Sequence, residues 1–293
     1  MIDRFLTSAE THSFAAVIDR FFLKLDYYVI WIILILLLLT LVAYLFKQVT
    51  IGGAISAFSI SLIIVFAFGF GGLSLFLFYI LSAIFLFSLN KKNEQYDEVL
   101  DIQGRKNRIN FLDLFSKGII IFILSFIYLI NPSSLVVFLF GVALSQIIGD
   151  LYSTELGVFA RGKTVSILNG SPIKPGLSGG ISIEGILSAI VGAFLVSLLW
   201  YSIYLVPSIK SISFIAIMTL SGFTGCIIDS LLGITVQASF FDENDNIFVE
   251  KEIRDGKKLP LVKGIRFINN DKVDFISNLF SIAFAAFFYV VIT

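Results

Sequence analysis

The chain is poor in charge. Lys and Arg number 21, Asp and Glu another 21, and together they make 14% of the 293 residues. A soluble domain carries about 25%. So few charges cannot hydrate a whole surface, which excludes an ordinary soluble globular protein. The two signs cancel to a formal net charge of zero, so no bulk field favours nucleic acid. His12 is the only histidine and Cys226 the only cysteine. That excludes an internal disulfide, a zinc site built from Cys and His clusters, and a Ser-His-Asp triad inside an apolar span. Cys226 sits in an apolar run and reads as a small buried residue. The Walker A pattern is absent. The first 27 residues contain Asp3, Glu10, Asp19 and Asp26, which a basic signal-peptide n-region would not.

What fills the chain instead is apolar sequence: 57% of residues are hydrophobic and mean hydropathy is +0.96. A helix needs about 20 mostly apolar residues to cross a bilayer, where lipid offers backbone groups no partners. Eight stretches qualify, near 28–46, 51–69, 71–89, 111–130, 133–156, 180–206, 212–239 and 273–292. The expected fold is therefore an all-α, polytopic helical bundle, a single transmembrane domain over 28–293. Gly69, Gly71 and Gly72 make the second and third spans a tight hairpin. Asn131-Pro132 separates the fourth from the fifth, and Pro207-Ser208 the sixth from the seventh. Residues 1–27, with Phe5, Leu6, Phe14, Phe21, Phe22 and Leu23 on one side, read as an interfacial segment.

Three long loops, 90–110, 157–179 and 240–272, fall on one side if spans alternate. With Lys47 they hold sixteen of the 21 basic residues. The positive-inside rule puts that side in the cytoplasm.

The acids inside apolar runs carry the chemistry. Asp150 and Glu155 close the fifth span, Glu184 opens the sixth, and Asp229 lies within the seventh. A carboxylate at mid-bilayer costs about 2.5–3.5 kcal/mol, so such residues pair, bind metal or face a polar cavity. For Asp150 and Asp229 the bland alternative, an interhelical hydrogen bond, carries less weight than a functional role. Glu155 and Glu184 are close enough to span ends to reach the interface. Gly222, Gly225, Ser230 and Gly233 allow close helix approach. Lys174-Pro175-Gly176-Leu177-Ser178-Gly179-Gly180 is a glycine-rich turn before a helix, a backbone arrangement able to cradle phosphate. Arg161, Lys163 and Lys174 add positive charge nearby. Hard oxygen donors without histidine or cysteine suit magnesium.

Four blocks of this sequence resemble those of the transmembrane protein 19 family (domain of unknown function 92), over roughly residues 100–293. Gly149-Asp150-Leu151-Tyr152-Ser153-Thr154-Glu155-Leu156-Gly157 resembles A-D-T-x-A-S-E-L-G. Pro175 to Ser182 resembles P-G-T-D-G-G-V-S. Gly222 to Gln237 resembles G-F-x-G-S-x-x-D-S-x-L-G-A-T-x-Q. Asn270-Asp271-Lys272-Val273-Asp274 resembles N-D-x-V-N. The turn's aspartate is Ser178 here, and Asp274 stands in place of an asparagine, which makes it the candidate to replace the lost acid. A block R-N-x-x-Q-V-x-x-N-G is only loosely echoed by Arg105 to Gly118. A looser similarity, through the G-D and P-G-x-x-G-G elements, runs to CDP-diacylglycerol synthase and dolichol kinase.

The family includes a phytyl-phosphate kinase, so the resemblance implies phosphoryl transfer from CTP or another nucleoside triphosphate to a prenyl monophosphate such as phytyl or geranylgeranyl phosphate. On that expectation Asp150, Glu155 and Asp229 hold magnesium and Lys163 and Lys174 neutralise developing charge. Gly176, Ser178, Gly179, Gly180, Asn270 and Asp271 bind the nucleotide. The expected partners are the prenyl-phosphate lipid, the nucleotide and the bilayer, with no nucleic acid. A cytidylyltransferase acting on a lipid phosphate and an ion-coupled transporter are the alternatives.

Overall fold

The structure is a computed structural model that describes residues 27–46, 49–90, 93–104, 111–159, 164–204, 209–254 and 256–292. The expected interfacial segment 1–27 therefore lies outside the described residues, apart from Tyr27.

Among the described residues eight helices follow in chain order: α1 (Tyr27–Leu45), α2 (Ile51–Asn90), α3 (Glu94–Gln103), α4 (Phe111–Ile130), α5 (Ser134–Gly157), α6 (Ile183–Tyr204), α7 (Ile209–Thr235) and α8 (Asn270–Ile292). All but α3 are rich in Leu, Ile, Val and Phe. Among the described residues, five helices are long and apolar enough to cross a membrane: α2, α5, α6, α7 and α8. Shorter apolar stretches run through α1 and α4. The chain is a helical polytopic membrane protein, as its composition requires.

At 40 residues α2 is about twice the length one crossing needs, and it is broken at Gly69, whose φ of 66° and ψ of −157° leave the helix. Ile60, before the break, meets Gly118 of α4. Tyr79, after it, lines a cavity with Lys117 of the same helix. Phe68, at the break, stacks on Tyr128 near the opposite end of α4. The two halves thus run antiparallel beside α4, and the expected hairpin forms where a positive φ suits glycine.

α5 is the hub, packing against α2, α4, α6, α7 and α8. In its most apolar window 78% of residues are buried, against 22% in α8. Ser133 caps its start, accepting a hydrogen bond from Val136 N at 3.3 Å, directly after the Asn131-Pro132 break. Small residues let α7 close on its neighbours. A Cβ on Gly222 would collide with Ser145, and one on Gly225 with Ser281 and Gln146. The backbones then come close enough for cross-helix hydrogen bonds, such as Ser145 Oγ to Met218 O at 3.2 Å and Ser281 Oγ to Ser221 O at 2.9 Å. Ile30, Leu34, Leu38, Leu187, Val191 and Phe287 stay exposed on the outside, as lipid-facing residues do.

The segments between spans are more structured than loops. α3 lies in the first. The second pairs β1 (Val165–Ser166) with β2 (Gly180–Ile181), so α6 begins at Ile183 rather than 180. The third holds β3 (Ser239–Asp242), β4 (Ile247–Val249), β5 (Ile253–Arg254), β6 (Lys257–Lys258) and β7 (Leu261–Lys263). β4, β3 and β7 form an antiparallel sheet in that order, and β5 pairs with β6. Its small core is Ala238, Phe240, Val249 and Leu259. α7 correspondingly ends at Thr235, short of the expected 239, because the chain enters β3. Three links tie these segments together. Lys174 Nζ lies 2.6 Å from Glu98, Arg254 bridges Asp101 and Asp242 at 2.6 and 2.9 Å, and Glu250 N donates to Ile102 O at 2.9 Å. The three segments form one polar cap on one side of the bundle.

Candidate active site

A cavity of about 530 Å³ joins the cap to the helices. Its helical wall includes Tyr79, Lys117, Asp150, Glu155, Asp229 and Asp274; the cap contributes Gly176, Ser178, Gly179, Gly180 and Glu250.

Asp150, Asp229 and Asp274 each turn one carboxylate oxygen inward, and those oxygens lie within 4.8 Å of one another. They come from α5, α7 and α8, so residues far apart in sequence meet because the three helices pack around one hub. Lys117 of α4 supplies the counter-charge: its Nζ is 2.7 Å from Asp150 Oδ2 and 3.5 Å from Asp274 Oδ2. All four residues sit within about two turns of the cap end of their helix. The cluster is therefore near one membrane face.

A buried amide relay fixes Asp229 from below. Asn278 Nδ2 donates to Gln146 Oε1 at 2.8 Å, Gln146 Nε2 to Ser277 Oγ at 3.3 Å, and Ser277 Oγ to Asp229 Oδ2 at 3.0 Å. Asn270 Nδ2 donates to Asp274 Oδ2 at 3.2 Å. Such outer contacts set the direction in which an acid presents its oxygens.

The structure places the remaining expected residues as follows. Glu155 is fully buried and lines the cavity, but it is not one of the three converging acids. Its Oε2 accepts from Asn90 Nδ2 at 3.0 Å. Asp274 completes the trio in its stead. Lys174 is committed to Glu98 on the cap. Lys163 and Arg161 lie outside the described residues. Asn270 and Asp271 line the cavity, and Asp271 Oδ2 accepts from Asn269 at 2.9 Å. Glu184 begins α6.

The glycine turn has a packing role of its own. Gly176 and Gly179 have φ of +91° and +84°, and a Cβ on either would press on Val99 of α3 or Ile234 of α7. The Gly180 amide is spent within the turn, on Leu177 O at 3.1 Å. At Ser178 both the backbone N–H, at 2.9 Å, and the hydroxyl donate to Glu250 Oε1. Burial pushes the Glu250 carboxyl above its usual range, while the Ser178 hydrogen bonds oppose that shift. Nearby, burial holds the Lys263 ammonium below its usual range.

Lys117 and Glu250 are the site residues that the sequence reading missed. A lone lysine inside an apolar span is as costly as a lone acid, so that signal was present for Lys117. Nothing local in the sequence marks Glu250.

The family profile described as integral membrane protein DUF92 matches residues 34–282. The chain belongs to that family. Protein PGR of Arabidopsis thaliana is 31% identical over 138 residues, covering 45% of this chain and 47% of the plant protein. The chain thus spans about half the length of that curated relative. No solved structure matches it. The family profile takes in the Asp150, Asp229 and Asp274 positions and the glycine turn alike.

Proposed function

We propose that this DUF92 protein is a membrane-embedded phosphotransferase that moves a phosphoryl group from CTP, or another nucleoside triphosphate, to a prenyl monophosphate. The observation that carries the reading is the meeting of three aspartates and a lysine in a cavity shared by apolar helices and a polar cap. A lipid phosphate needs such a place, since its tail stays in the bilayer while its head must reach a water-soluble nucleotide.

The donor set fits magnesium. Three hard carboxylate oxygens converge, and once Lys117 is counted two negative charges remain for a divalent cation to balance. Asp150, Asp229 and Asp274 would hold it, and the bound ion would neutralise polyphosphate charge. The chain's own residues do the rest. Lys117, already between two of the acids, is positioned to turn its ammonium toward the phosphate oxygens. Asn270 and Asp271 bind the nucleotide, and the Asn278–Gln146–Ser277 relay holds Asp229 still. An oxygen of the prenyl monophosphate attacks the terminal phosphorus. The bond from that phosphorus to the bridging oxygen breaks, and the nucleoside diphosphate leaves. No general base is needed, because a phosphate nucleophile is already ionised at neutral pH. The sixteen basic residues that the sequence places at Lys47 and in the three segments between spans support a cytoplasmic site, where nucleotides are.

A transporter is the weaker reading. It would place carboxylates toward both faces, whereas the far ends of the helices carry none among the described residues. Product analysis decides between the enzymes. Purified protein is given magnesium, geranylgeranyl phosphate, and CTP labelled at either the α or the γ phosphorus. The proposal expects γ label on the lipid with release of CDP. An α label on the lipid with release of pyrophosphate would establish a cytidylyltransferase, and no labelled lipid with any prenyl phosphate would contradict both.

A further inference from the structure

The Ser178–Glu250 contact has a chemistry that packing does not need. A carboxylate oxygen receives both the backbone N–H and the side-chain hydroxyl of one residue in a glycine-rich turn. Two converging donors are how a turn holds an oxyanion. The turn is therefore an anion-binding site in this structure, and the anion is the protein's own Glu250.

Glu250 is also where the cap comes together. It follows β4, its N–H donates to Ile102 O at the end of α3, and its carboxylate reaches the glycine turn that packs on α3 through Gly176 and on α7 through Gly179. Glu250 and Ser178 both line the cavity that contains the three aspartates. An anion entering that cavity competes with Glu250 for the Ser178 donors.

We propose that Ser178 N–H and Oγ form an oxyanion subsite for a phosphate of the bound nucleotide, with Glu250 as its resident place-holder. Phosphate displaces the carboxylate, and the β3–β7 segment loses one of its ties to the turn as the ligand binds. The subsite rests on the phosphotransferase reading only for the identity of its ligand, a polyphosphate; the competition with Glu250 follows from the contact itself.

Binding of magnesium tripolyphosphate to the full-length protein in nanodiscs, by calorimetry, tests this without turnover. Glu250→Gln keeps the shape but loses the charge. It should bind tripolyphosphate about tenfold tighter, the order expected for freeing charge-assisted donors. Ser178→Ala should bind it more weakly than the parent, and adding Ser178→Ala to Glu250→Gln should erase most of the gain. Thermal unfolding of each variant confirms that it is folded. A parallel titration with geranylgeranyl phosphate separates the two sources of phosphate, since Glu250→Gln should leave that affinity unchanged. Tripolyphosphate binding that is unchanged or weaker in Glu250→Gln would overturn the proposal, as would a gain confined to the lipid phosphate. If product analysis finds no phosphoryl transfer yet Glu250→Gln still tightens tripolyphosphate, the subsite stands and the kinase reading fails.

Discussion

Single residues in this protein are governed by the cost of charge in an apolar bundle. That cost made Asp150 and Asp229 legible from sequence, because neither could be left alone in a span. Asp274 was legible as a departure, an acid where the family pattern has an amide. Lys117 obeys the same rule: a lone lysine within an apolar span carries the same cost as a lone acid. Glu155 shows the limit of reading spacing along one helix. Five residues separate it from Asp150, so it points elsewhere around α5, and a third helix delivers the nearer acid. Lys117 is expected to matter to stability before it matters to chemistry. Lys117→Met should destabilise the protein by about 3 kcal/mol, the loss typical when one partner of a buried charge group is removed. Asp274→Asn in the same background should restore much of that, since it removes one of the unbalanced acids. Thermal unfolding in detergent without divalent ions checks both. An Lys117→Met protein as stable as the parent would mean that the ion pairs contribute nothing to folding.

Among the elements, the long apolar helices and their breaks follow directly from the sequence. Asn131-Pro132 ends one helix and Gly69 reverses another. The cap was less legible. Its strands are two to four residues long, too short for alternation to stand out from a polar loop, although Phe240-Phe241-Asp242 and Ile247-Phe248-Val249 flanking Glu243 to Asn246 carry a hairpin signal. The glycines proved to serve contact as well as any ligand. Gly225→Val forces a side chain into Ser281 and Gln146 and should cost about 1–3 kcal/mol, seen as a lower unfolding temperature. Glu250 gives a pH signature. Burial raises its carboxyl in the folded state, so folding disfavours the ionised form relative to the unfolded chain. The stability linked to it is full below the unfolded value of about 4.3 and is lost as pH rises through the raised folded value. Glu250→Gln should therefore raise the unfolding temperature at pH 8, and the gain should shrink toward zero by about pH 4. A gain that persists at low pH would show that ionisation of Glu250 is not its source.

For the whole molecule, the cap is the feature that orients everything else. Its three segments touch, so they share a side, and the basic residues argue for the cytoplasm. Single cysteines at Asn93, Asn169 and Asn246 in a Cys226→Ser background should all resist an impermeant thiol reagent in intact cells and all react after permeabilisation. Labelling from outside would place the cap, and with it the proposed nucleotide site, on the wrong face. On the proposed function, α5, α7 and α8 bring Asp150, Asp229 and Asp274 together as one divalent-cation site. The most direct measurement is Mn2+ binding to the purified protein, followed by electron paramagnetic resonance. One tight ion per chain is expected, lost in each of Asp150→Asn, Asp229→Asn and Asp274→Asn and kept in Glu155→Gln. Tight binding that survives two of those three aspartate changes, or that disappears only with Glu155→Gln, would contradict it.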